Sequence, residues 1–268
     1  MSAATTLERA RPVGPLRVFG AILWRDIFVT GRELTTFLAQ VVIQPFFLLF
    51  VFGRVLTDLG YAQHGYANLL LPGVVALTAV LTALQSTALP LVIEFSFTKE
   101  IEDRLMAPLP TWLVAIEKMV FAAMRALVAA ILMFPIGVLV LGSVPWRAAG
   151  LPELAAVLVL GCLAGAAMGL TLGTLVQPQR INLVFAVVLT PLLFTGSSQY
   201  PWPSLDRLPW FKVVTLFNPL TYVSEGMRAA LIPQVPHMNP LLGLLALVAA
   251  VTLFTWIGVR GFIRRAID

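Results

Sequence analysis

The fold class this sequence predicts is an all-α integral membrane protein with six transmembrane helices, and three observations predict it. Of 268 residues, 59% are hydrophobic and only 12% charged, where a soluble domain carries roughly a quarter. The charges are clustered, leaving uncharged runs at 34–53, 59–93, 126–146, 154–179, 181–205 and 229–259. Each run has at least the ~20 residues a helix needs to cross about 30 Å of hydrocarbon. With spans at about 34–54, 69–93, 112–141, 154–176, 181–199 and 240–259, twelve of the 18 basic residues fall on the side of the N-terminus and five on the other, with Arg125 inside a span. By the positive-inside rule both termini are cytoplasmic and the net charge of +5 reports sidedness.

The first fifteen residues hold two arginines and no apolar core, so they read as a cytosolic tail and not as a secretory signal. In 16–33, Leu16, Phe19, Leu23 and Ile27 recur at helical spacing while Arg17, Arg25 and Asp26 take other faces. Residues 1–33 therefore divide into tail and interfacial amphipathic helix, ahead of a membrane domain over 34–268. Between spans two and three, Phe97, Ile101 and Leu105 form a narrow stripe among Lys99, Glu100, Glu102, Asp103 and Arg104. Thr98 suits the cap, three acids lie near the positive end of the dipole, and Pro108 ends the helix. The spacing predicts a short cytosolic helix over 98–107 with a charged face fit for docking; a plain solvated loop is the alternative.

In the third span, Arg125 lies seven residues beyond Lys118, about 10 Å deeper. It either snorkels to the headgroups, pairs with a carboxylate such as Glu94, or lines a substrate path. Cys162 sits in a small-residue run and reads as packing, with no disulfide framework available. His64 and His237 fall in outer loops without companion ligands, so no metal site is expected.

After span five, four prolines or glycines with two tryptophans and a tyrosine over 194–210 predict a backbone that turns at the membrane surface. Asn218 then caps a helix with Pro219 at its first position. Leu220, Val223, Met227 and Leu231 give that helix an apolar face, and Thr221, Ser224, Glu225 and Arg228 a polar one. Glu225 and Arg228, three apart, are spaced to pair. The expectation is a half-buried re-entrant hairpin over 195–233 in the outer leaflet, acting as a gate built on Tyr200, Pro201, Asn218, Pro219, Tyr222, Glu225 and Arg228.

The Gly-Ser turn, Tyr200-Pro201, Leu-Pro-Trp, Asn218-Pro219-Leu-Thr-Tyr222 and Glu225-Gly-Met-Arg228 together resemble the C-terminal signature of ABC type-2 exporter permeases, in particular the daunorubicin-resistance and nodulation-factor groups. The segment from Lys99 to Arg104, followed by Pro108, is similar to that family's cytosolic connection, whereas Gln199 stands where the family commonly has an apolar or aromatic residue. The resemblance implies a plasma- or inner-membrane permease subunit, paired with a second permease subunit (the same chain or another) and two cytosolic ABC ATPase subunits. It would export hydrophobic or amphipathic compounds, drugs or lipid-like molecules, as in antibiotic efflux; a lipid-linked glycan or polysaccharide is the alternative cargo. Lys99, Glu100, Ile101, Glu102, Asp103 and Arg104 would receive the push of the ATPases.

The sequence agrees on one point of chemistry. It contains no G-x-x-x-x-G-K-[ST] phosphate loop and no soluble stretch long enough for a nucleotide domain, so ATP and Mg²⁺ belong to the partner and this chain is expected to bind no cofactor and no nucleic acid. An intramembrane enzyme would need a nucleophile with its base, or metal ligands, at depth. An ion-coupled secondary transporter would be expected to place an acid near midplane, and no span does so. A structural scaffold leaves both the capped charged helix and the broken hairpin without a purpose.

Overall fold

The computed structural model describes residues 14–32, 34–61, 65–98, 101 and 109–267. The elements are α1 (Pro15–Arg32), α2 (Leu34–Leu48), α3 (Tyr66–Ile93), α4 (Thr111–Leu141), α5 (Leu151–Leu175), α6 (Ile181–Thr195), α7 (Pro209–Thr215), α8 (Pro219–Leu231) and α9 (Pro240–Ile267). The described residues form no strand. Among the described residues, six helices are long and apolar enough to cross a membrane: Thr35–Asp58, Tyr66–Ser96, Thr111–Leu141, Ala148–Leu175, Pro178–Thr195 and Pro240–Ala266. The helix expected at 98–107, with Lys99, Glu100, Glu102, Asp103 and Arg104, lies outside the described residues apart from its Thr98 and Ile101. Ile101 is buried among Leu91, Leu109, Val114, Leu170 and Phe262.

The bundle is organised by α3 and α5, which make its most extensive pairing and are its most buried spans. Glycines explain the closeness. Gly165, Gly169 and Gly173 recur every fourth residue and share the face of α5 turned to α3, while Gly161, one turn earlier, meets Val223 of α8. A Cβ at Gly165 would lie 2.5 Å from the Val80 carbonyl oxygen of α3, and one at Gly169 2.4 Å from that of Leu84. Water-free helix association relies on this backbone approach, since lipid gives apolar side chains no reason to cluster. Around that pair stand α4, α8 and α9, and span one, α6 and α9 are themselves mostly exposed.

Two stretches widen into π-helical turns. Leu49–Val55 in span one and Glu94–Thr98 after span two are π-helical, each beginning four residues after an intrahelical proline, Pro45 and Pro90. A proline removes one donor from the ladder and crowds the preceding turn, and a widened turn is one way to absorb that.

The N-terminal helix packs largely on the face its apolar spacing suggests. Phe19, Leu23 and Ile27 are half-buried, and only Leu16 at the start of the stripe is left 80% exposed. Val18, Phe19 and Ile22 rest against the cluster around Phe262, and Asp26 is buried on the same side. Asp26 Oδ2 lies 3.9 Å from the Lys118 ammonium of α4, and a buried carboxylate is tolerable when a cation stands beside it.

Candidate functional site

The polar side chains of α8 converge at the end of the bundle opposite α1. Asn218 caps the helix as expected, its side-chain oxygen accepting from Leu220 N at 2.9 Å, with Pro219 at the first turn. The same side chain donates to Leu192 O at 2.8 Å and to the Thr195 hydroxyl at 2.9 Å, fastening the start of α8 to the end of α6. Thr221 donates to Thr215 O at 2.7 Å, Tyr222 to Leu216 O at 2.7 Å, and Ser224 to Gly196 O at 2.9 Å.

Glu225 and Arg228 make the pair that their spacing predicts, with Arg228 Nη1 2.7 Å from Glu225 Oε1. The helix, however, is not half-buried. All of α8 is buried except Tyr222, and Arg228 has no exposed surface. The polar face expected to meet water is covered by the chain on either side. Glu225 Oε1 also accepts from Trp202 N at 2.9 Å, and Oε2 from Met238 N at 3.0 Å. Arg228 Nη2 donates to Ser198 O at 3.0 Å. One ion pair thus gathers residues 198, 202 and 238 around a single helix turn, with backbone groups supplying the partners that buried charges require. Burial pulls the Arg228 guanidinium below its ordinary value, while Glu225 opposes that shift.

The covering loop is held at close quarters. Ser197 is fully buried with φ of 50°, an uncommon conformation for a residue with a side chain. The next residue lies directly on α3, where a Cβ at Gly73 would be 1.7 Å from Ser198 O. Tyr200 donates to Phe194 O at 2.6 Å, and burial raises its phenol above the ordinary range. Pro201 opens the 3₁₀ turn Trp202–Arg207 that leads into α7. Tyr66, at the start of α3, donates to Gln199 O at 3.0 Å.

Arg125 lies apart from this network. Its guanidinium sits 4.2 Å from the centroid of the Phe37 ring and 5.8 Å from that of Phe121. Glu94, one expected partner for it, is taken by Lys118 at 2.5 Å, which stands two helical turns of α4 nearer the α1 end. Arg125 helps line a cleft of about 250 Å³ between α2 and α3 with Gln40, Gln44, Thr82, Gln85 and Ser86. Sequence reading passed over these amides, although Gln40 and Gln44 at a four-residue interval inside an uncharged run were a visible signal. The long-range acceptors Ser198, Leu192 and Gly196 had no such signal, being backbone groups.

Among the described residues no group of three histidine, cysteine, aspartate or glutamate side chains could hold a metal. Comparison with known proteins gives a consistent assignment. The family model for the ABC-2 type transporter matches residues 17–232. The chain is 28% identical over 212 residues to the inner membrane transport permease YadH of Escherichia coli K12, across 77% of this chain and 80% of that one. The YadH proteins of Escherichia coli O157:H7 and Shigella flexneri match to the same extent. With its six apolar spans and the folded connection that follows the fifth, this chain belongs to the ABC-2 type transporter family.

Proposed function

We propose that this chain is the permease subunit of an ATP-binding-cassette exporter in the inner membrane, moving a hydrophobic or amphipathic compound outward with ATP hydrolysed by separate subunits. The observation that carries the reading is the family match over residues 17–232, joined to a sequence without a phosphate loop. Two ATPases and a second permease subunit complete the assembly, with both termini in the cytoplasm. The segment from Lys99 to Arg104 receives the motion of the ATPases. The connection from residue 195 to 233, with Tyr200, Pro201, Asn218, Pro219, Tyr222, Glu225 and Arg228, forms the outer gate. Arg125 borders the path.

The geometry supports a gate that moves as a unit. Its charges are satisfied internally, so it can shift against the spans without exposing an unpaired ion. Membrane extraction with the native operon expressed tests the assembly: an ATPase co-purifies with the tagged chain, whereas a chain isolated alone under mild conditions refutes the reading. Orientation follows from a Ser204→Cys variant, because Ser204 is exposed and the native Cys162 is buried. An impermeant maleimide labels it from outside; labelling only after lysis would invert the topology. Coupling is tested by Glu100→Lys with Glu102→Lys, which keeps the protein in the membrane and lowers transport at least roughly tenfold, about 1.4 kcal/mol of lost coupling. Unchanged transport would remove the segment from that role.

A further inference from the structure

The last turns of α9 carry three arginines with different fates. Arg265 is committed inside the bundle, where its guanidinium donates to Gly173 O at 3.0 Å, Val176 O at 3.3 Å and Ser96 Oγ at 3.0 Å. Arg260 and Arg264 are exposed, and among the described residues neither makes a hydrogen bond or an ion pair. They stand four residues apart on one face of the helix, about 6 Å along its axis. Arg260 is oriented nonetheless, its guanidinium 3.9 Å from the centroid of the exposed Trp256 ring. Stacking on a ring face leaves the N–H edge of a guanidinium unused.

That face looks out of the bundle. The inward side of α9 is marked by Gly258, against Leu170, and Gly261, against Thr174 and Leu175 of α5. Leu253, seven residues before Arg260 and on its side of the helix, is exposed like Trp256. An apolar track about 10 Å long therefore runs from the arginines along the span. Charge is unbalanced here. Neither α9 nor the stretch 154–205 contains an acidic residue, and the turn that leaves α5 adds the exposed Arg180. Asp26, Glu94 and Glu117, acids at the same end of the bundle, are buried.

We propose that this face binds the head of an anionic phospholipid, with its phosphate between Arg260 and Arg264 and one acyl chain along Trp256 and Leu253. Guanidinium forks pair with phosphate oxygens through parallel N–H bonds, a geometry that lysine lacks. Net charge decides the lipid class. A zwitterionic head brings its own cation to the phosphate, whereas arginines without acidic neighbours favour a head that brings none. The depth agrees, since exposed tryptophans gather where headgroups meet hydrocarbon, and Trp24 and Trp112 are exposed at the same end.

The site concerns the membrane around the chain and not its cargo, so it stands apart from the transport reading. It is tested on the full chain, delipidated in a neutral maltoside detergent and titrated with dioleoyl phosphatidylglycerol or dioleoyl phosphatidylcholine. Binding is counted by native mass spectrometry. Phosphatidylglycerol binds roughly tenfold tighter. Arg260→Gln with Arg264→Gln brings the two lipids level. Arg147→Gln with Arg207→Gln, exposed arginines at the opposite end, leaves the preference intact. Arg260→Lys with Arg264→Lys keeps the charges without the forks and retains part of it. Trp256→Leu lowers phosphatidylglycerol affinity about threefold, as loss of the stack unfastens Arg260. Excess inorganic phosphate leaves the lipid bound, because the acyl track contributes as well. Equal binding of both lipids, a preference that survives the glutamine pair, or displacement of the lipid by inorganic phosphate overturns the site.

Discussion

The two ends of the bundle solve the problem of buried charge differently. At the α8 end, Glu225 and Arg228 spend their hydrogen-bonding capacity on each other and on the backbone at Ser198, Trp202 and Met238. At the α1 end, Lys118 stands between Glu94 at 2.5 Å and Asp26 at 3.9 Å, joining α1 and α4 to the turn that follows α3. Among the described residues, Glu94 Oε2 accepts no hydrogen bond. The first network is closed and specifies one geometry. The second leaves acceptor capacity over, so its partners can be exchanged when the helices shift. The difference is between a closed junction at one face of the bundle and an adjustable one at the other.

Single loss of a charge at the closed end is the severest way to break this contrast. Arg228→Met strands Glu225 in a dry setting and destabilises the protein by about 3–5 kcal/mol. Adding Glu225→Gln restores part of that, so the double variant melts above the single one; strict additivity in a double-mutant cycle would dissolve the coupling. Gly73→Ala comes next. Its methyl overlaps the Ser198 backbone, displacing the loop at about 1–3 kcal/mol and admitting protease near residue 200. Lys118→Met at the open end costs less than Arg228→Met, about 1–3 kcal/mol, because its carboxylates lie nearer water and can seek other donors. Its mark is looser packing of α1, read as faster amide exchange across 15–32. The smallest effect is Asp206→Asn. That carboxylate is largely exposed, so losing its ion pair with Lys212 changes stability by under about 0.5 kcal/mol in a melting scan, while the Lys212 ammonium keeps its place 4.0 Å over Trp202.

Much of the architecture could be read from residue order, because hydrocarbon imposes it. Six uncharged runs become six spans, Asn218-Pro219 becomes a capped helix start, and a three-residue interval becomes the Glu225–Arg228 pair. These are local relations, and helical spacing reports local relations well. The spacing of α1 sets Asp26 off the apolar stripe but does not announce its burial, since the Lys118 cation beside it lies 92 positions later. The polar face of α8 was expected to stay half-wet, and it is dry because distant carbonyls and amides cover it. Backbone groups are the same at every position, so composition cannot announce which of them will serve.

The four-residue ladder of glycines on α5 carries a mechanical consequence. Where backbones touch without intervening side chains, no rotamer can yield, and two rods interlocked along such a seam behave as one stiff spar. Any motion of the bundle must then swing that spar whole or bend the lightly held helices around it, which places compliance at its periphery and its memory of shape at the centre.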